Sequence, residues 1–212
     1  MRDKFEEELL DLNNNLICMG ALCEKAISQS VDSFLKGEQN YFKQAMKLEN
    51  KIDSMEKTIE QQCLKLILQQ QPVAKDLRII SAALKMITDL ERIGDQAVDI
   101  AELTQITKDT FTSRHIQKMA QEVVFMVMKA IDSFVKNDIE MAKEVIEHDD
   151  VVDELFSKAK EDIINDIKKD GFDPEVMLDL LMISKYLERI ADHATNIAEW
   201  VVFSITGKHE EE

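Results

Sequence analysis

Apolar residues recur with a 3.6-residue period along almost the whole chain, and the pattern breaks at only five places. These are Lys36-Gly37, Gln69 to Pro72, Ile106 to Ser113, Lys136 to Asp138, and Lys169 to Pro174. The breaks divide the chain into six helices of about 25 to 33 residues, each roughly 40 to 50 Å long at 1.5 Å per residue. The last of them contains YLERIADHATNIAEW (186–200), where Leu187, Ile190, Ala191, Ala194, Ile197 and Ala198 form an apolar face. Asp173-Pro174 marks its start: Asp caps free backbone N–H groups, and Pro at the first helical position forfeits no hydrogen bond.

The pattern is also duplicated. A shift of 100 residues lays VDSFLKG (31–37) on IDSFVKN (131–137) and carries Glu49 and Asp53 onto Asp149 and Asp153. A shift of 97 lays LERIGDQAVDIAE (90–102) on LERIADHATNIAE (187–199), with nine of thirteen positions identical. The change of offset places a three-residue difference in a loop. Short connections between long helices imply antiparallel neighbours, so the expected fold is all-α, two tandem and internally repeated antiparallel three-helix bundles, with domains at 1–107 and 108–212.

Composition agrees. Only five Gly and two Pro interrupt a chain that is 45% hydrophobic, enough to build a core across 212 residues. The longest uninterrupted apolar run, VVFMVM (123–128), is far too short to cross a bilayer. Cys18, Cys23 and Cys63 are odd in number, form no C-x-x-C and follow no secretory signal, which fits free thiols in a reducing cytoplasm. Met119, Met126 and Met128 read as core filler. The formal net charge of −16 repels nucleic-acid phosphates and anionic lipid, so neither a nucleic-acid partner nor direct membrane insertion is expected.

The acids are not spread evenly. On a helical projection Glu91, Asp95, Asp99 and Glu102 fall within an arc of about 80°. Glu188, Asp192 and Glu199 repeat that stripe, with Asn196 where Asp99 stands. Helix two of each half adds Glu49 with Asp53 and Asp149 with Asp153, and Asp150 lies beside the latter pair. Like charges at i, i+4 repel by a few tenths of a kcal/mol. A solvated face explains any one pair. Recurrence on two helices that should be neighbours points instead to oxygen-ligand cation sites, suited to Mg²⁺, Ca²⁺, Mn²⁺ or iron, with bridging carboxylates holding more than one ion. No Glu-x-x-His precedes His115, His148, His193 or His209, which argues against a di-iron oxidase. His193 points off the stripe and reads as a core-edge or surface residue. Arg92 and Arg189, each next to a stripe Glu, read as salt-bridge partners that orient the acids.

The run QPVAKDLRIISAALKMITDLERIGDQAVDIAE (71–102) and its degenerate copy closely resemble the PhoU family of phosphate-uptake regulators, through AxDLR and LERIGDxAxxIA, over essentially the whole chain. The resemblance implies a cytoplasmic, non-enzymatic, metal-binding negative regulator of phosphate uptake and phosphate-starvation signalling, peripheral to the membrane through its partners. Those partners would be the phosphate ABC transporter and a sensor histidine kinase, with a homodimer as a further assembly. It also implies multinuclear metal clusters, iron first and Mn, Mg, Zn or Ca as alternatives. Their ligands map onto Glu49, Asp53, Glu91, Asp95, Asp149, Asp153, Glu188 and Asp192. Two departures stand out: Ala191 replaces the family's Gly and is expected to loosen the second site slightly, and the tail ends in the acidic GKHEEE. Competing readings are a metal-free adaptor whose acid stripes meet basic partners, and a carboxylate-bridged dinuclear-metal enzyme.

Overall fold

The computed structural model describes residues 2–36, 41–70, 72–106, 114–169 and 173–208. They form six helices: α1 Arg2–Lys36, α2 Tyr41–Gln70, α3 Ala74–Ile106, α4 Arg114–Lys136, α5 Ile139–Ile167 and α6 Pro174–Thr206. Among the described residues there is no strand. Each boundary falls at a break in the apolar period. Two lengths leave the expected range: α1 runs 35 residues and α4 runs 23. The boundary between residues 107 and 108 and the tail from His209 lie outside the described residues.

Local chemistry sets the ends. Asp138 and Asp173 cap α5 and α6, their side chains accepting from Glu140 and Met141 N–H in the first case and from Glu175 N–H in the second. Pro174 occupies the first turn of α6, as the sequence predicts. α4 stops at Asn137, whose φ of +53° lets the Asp138 N–H reach back to the Ser133 carbonyl at 2.9 Å. α6 stops at Gly207, also left-handed at φ +74°. There Arg78 of α3 lies against the turn and donates from Nε to the Ser204 carbonyl at 3.5 Å, putting a cation at the negative end of the helix.

Side-chain contacts give the helix directions. Gln62 of α2 donates to the Glu8 carbonyl and accepts from Asn15, while Lys65 pairs with Glu8 at 3.0 Å, so α1 and α2 are antiparallel. Cys23, Ser30 and Ser33 of α1 meet the Leu90 carbonyl, the Ala97 carbonyl and Thr104 of α3 at offsets of 67, 67 and 71 residues, as parallel neighbours must. In the second half Glu122, Lys129 and His115 of α4 meet His148, Glu144 and Asp162 of α5, again antiparallel. The two three-helix units then join through α3 on α6 and α1 on α4, leaving α2 and α5 on the outer flanks. One apolar core, from Phe5 to Val202, runs through both units.

The close approach of α2 to α3 is where the duplication has diverged. Gly94 is buried, and a methyl there would lie 2.9 Å from Ile52 Cδ1 and 3.3 Å from its Cγ2. The second copy carries Ala191 at the position of Gly94, and Val152 at the position of Ile52; both are 0% exposed. Valine lacks the δ-methyl that would collide. The second copy thus pairs a larger residue at the glycine position with a smaller one at the isoleucine position.

Gly94→Ala should lower stability by about 1 to 3 kcal/mol through overpacking. Adding Ile52→Val should recover part of that loss, even though Ile→Val alone typically costs about 0.5 to 1.5 kcal/mol. Urea unfolding of the single and double variants measures the coupling, and strictly additive losses would rule it out.

Candidate metal centre

Antiparallel packing of α2 on α3 brings Glu49 and Asp53 beside Glu91 and Asp95, and Glu56 joins them. Their mutual influence is plain in their titration. Glu49 is raised above the ordinary carboxylate range by burial, then by Asp53 and Asp95. Glu91 is raised by burial and Asp95, against the pull of Arg92, with Glu56 and Asp53 adding to the rise. Glu56 is raised by burial, Asp53 and Glu60, with Lys57 and Arg92 opposing. Arg92 bridges this cluster at its rim, 3.0 Å from Asp95 and 3.4 Å from Glu91.

The second cluster forms in the same way between α5 and α6. Asp149, Asp153, Glu188 and Asp192 come together, and Asp149 is pushed up to about 6 by burial, then by Asp192 and Asp153, with Glu188 adding less. The Thr195 hydroxyl opposes that rise, although it makes no hydrogen bond of ordinary length. Asp192 is raised by burial and Glu188; Lys185 and His193 oppose, and Asp153 adds. Lys185 holds both carboxylate oxygens of Glu188 and lies 5.6 Å from the Phe156 ring.

The remaining acids of the stripe are placed differently. Asp99 is raised by burial, Asp95 and Glu102, and is eased by Arg189 across the seam on α6. Tyr186 shares that neighbourhood: burial raises it first, then Asp99. Asn196, expected in the second cluster, instead turns its amide to Asp89 of α3, donating to Oδ1 at 3.4 Å. His193 reaches the same oxygen from Nδ1 at 2.9 Å, which makes it a seam residue. Asp150 and Glu199 are exposed. His148 pairs with Glu122 at 2.8 Å and tilts against Phe125.

Four residues at these sites escaped the sequence reading. Glu56 and Lys185 have Phe156 and Thr88 as repeat counterparts, so a search for shared acids passes over both. Lys185 stands three residues before Glu188, a spacing that could have found it. Asp89 has Tyr186 as its counterpart, and its role emerges only once α3 and α6 are packed. Thr195 sits where the first copy has Val98.

Donor type fits a hard cation in both clusters: carboxylates from two helices, one of them with a buried oxygen, Asp53 Oδ1, that has no hydrogen-bond partner. As they stand, no three Asp, Glu, His or Cys side chains among the described residues converge tightly enough to enclose an ion. The arrangement is an open set of oxygen donors that repel one another. The two buried thiols are poor nucleophiles and ligands, since burial holds Cys23 well above its ordinary range and, with Glu60, pushes Cys63 up to about 12.

One family model, described as "PhoU domain", matches residues 16–104 and again residues 116–201, once in each half of the duplication. The chain belongs to the PhoU family. Among PhoU relatives, the "Phosphate-specific transport system accessory protein PhoU homolog" of Clostridium acetobutylicum is 36% identical over 211 residues, covering 98% of this chain and 96% of that one. The similarly named protein of Pseudomonas aeruginosa is 31% identical over 208 residues, covering 96% and 86%. The crystal structure of PhoU from Pseudomonas aeruginosa superposes with a TM-score of 0.88 at 30% identity, covering 96% of this chain and all of that one. PhoU from Streptococcus pneumoniae shares the fold, with a TM-score of 0.90 at 23% identity over 98% of this chain and all of that one.

The raised Asp149 carboxyl has a definite effect on this PhoU-family fold. An unfolded Asp titrates near ~3.9, so between there and about 6 the folded chain binds more protons than the unfolded one. Stability from this group therefore falls as pH rises through that window, with the full penalty standing above it and none below. In chelator-stripped protein at low salt, Asp149→Asn should raise stability at pH 8. The gain should be on the order of 1 kcal/mol once solvent screening is allowed for, and should vanish near pH 4. Urea midpoints across that range measure it; a loss of stability at pH 8 would contradict the assignment.

Proposed function

We propose that this chain is an accessory regulator of phosphate transport, one that restrains uptake and phosphate-starvation signalling by contact with the phosphate ABC transporter and a sensor histidine kinase. The observation that carries the proposal is the match of both halves to one family, with relatives along nearly the full length named as accessory proteins of phosphate-specific transport. In this reading it works by contact and not by turnover. A place on the cytoplasmic face, at the membrane only through partners, accords with helices of which none, among the described residues, is long and apolar enough to cross a bilayer.

Cation binding is the second part of the proposal. Glu49, Asp53, Glu56, Glu91 and Asp95 would hold ions at one seam, and Asp149, Asp153, Glu188 and Asp192 at the other. Iron is the first candidate, with Mn, Mg, Zn or Ca as alternatives. Bound cations would supply positive charge to a surface that otherwise repels anions. The core beneath keeps the helices in register whether or not the acids are neutralised, and Arg92 holds Glu91 and Asp95 together at the rim.

A second reading, a metal-free adaptor with basic partners, draws support from the lack of any three converging ligand groups among the described residues. Two measurements separate the readings. In a bacterium lacking its own PhoU, this chain should lower phosphate uptake in phosphate-rich medium; unchanged uptake counts against the regulatory role. Elemental analysis of protein purified without chelator should find bound metal that is lost in the Asp53→Asn, Asp153→Asn double variant. If the wild type carries none and that variant regulates normally, the adaptor stands.

A further inference from the structure

We propose that Lys185 is a built-in counter-ion of the second carboxylate cluster, and that it makes this cluster the weaker of the two for added cations. The inference rests on the cation-binding part of the preceding section, but the contact behind it does not: Lys185 Nζ already lies on both oxygens of Glu188, a side chain only 15% exposed. An ammonium is a compact, strongly hydrated point charge and stands among carboxylates much as a small ion would. Phe156 backs it, with the ring centroid 5.6 Å from Nζ.

The first cluster differs at both of these positions. Where the second copy has Lys185 and Phe156, the first has Thr88 and Glu56. A hydroxyl replaces the cation, and a further carboxylate replaces the ring beneath it. Glu56 is drawn into the first cluster through Asp53 and Glu91. Arg92 compensates there, 3.0 Å from Asp95 and 3.4 Å from Glu91 through single contacts, with its side chain 57% exposed against 45% for Lys185. Its counterpart Arg189 eases Asp99 of α3. The first seam therefore gathers five carboxylates around the Arg92 guanidinium, with Lys57 beside Glu56, and the second four around an ammonium seated on both oxygens of Glu188, with His193 beside Asp192. The two exchanges in register leave the second copy closer to internal charge balance.

The test is a calorimetric titration of the chelator-stripped full chain with MnCl₂ alone. Wild type should show two classes of site. Lys185→Met keeps the aliphatic stem on Phe156 and removes the charge, and should tighten the weaker class about thirtyfold, the effect of one unit charge on a divalent ion at ~4 Å screened as in water. Thr88→Lys should weaken the stronger class by a similar factor. Two classes unmoved by either substitution would overturn the inference and leave cation binding intact. If no variant takes up Mn²⁺, cation binding fails, and the urea midpoint of metal-free protein at pH 8 decides the counter-ion role. A lower midpoint for Lys185→Met supports it, and an equal one overturns it.

Discussion

Repulsion between carboxylates on adjacent helices is the constraint that organises this molecule, and it persists because the packing beneath is stronger. Each like-charged i, i+4 pair costs a few tenths of a kcal/mol. Each fully buried Ile or Leu contributes about 1.5 to 3 kcal/mol. Ile52, Leu90 and Ile93 below the first cluster, and Val152, Leu187 and Ile190 below the second, are all 0% exposed. The core fixes where the helices lie, and the acids must then accept one another's company. The raised proton affinity of Glu49, Glu56, Glu91, Asp149 and Asp192, and the cations Arg92 and Lys185 beside them, are the response to a geometry that burial imposes.

Most of the architecture was legible in the chain because helix ends depend on local chemistry. Asp138, Asp173 and Pro174 announce their roles by residue type, and the apolar period stops where the helices stop. The two acid pairs on α2 and α5 were legible for a different reason: duplication preserved them in register. What stayed hidden depends on packing between distant segments. The pairing of α3 with α6 leaves no trace in either helix alone, so neither Asp89 nor the diversion of Asn196 toward it could be read. Duplication marks what the two copies share, and Glu56 and Lys185 matter because the copies differ there.

Divergence between the copies follows the same physics at different scales. At the α2–α3 crossing the first copy has Gly94 with Ile52 where the second has Ala191 with Val152, the same number of side-chain carbons divided differently between two helices. At the clusters the first copy has Thr88 with Glu56 where the second has Lys185 with Phe156, a difference in charge. Cores tolerate exchanges that conserve volume. Open carboxylate sets, having no packing to violate, are free to change their charge. The two halves keep one helix order while their acidic seams differ in electrostatic character.

The contact between Arg78 and the Ser204 carbonyl spans 126 residues of sequence, and it bears on how the chain is made. The face of α3 that α6 covers, including Asp89, has to wait for a partner encoded about a hundred residues later. At about 5 to 20 residues per second, the first half leaves the ribosome and then stands with that seam bare for roughly 5 to 20 s. During that interval a nascent first repeat offers the same surface to any neighbouring α6, whether from its own chain or from another on the same messenger. A polysome is thus the setting in which tandem repeats of this kind are most exposed to exchange of halves between copies.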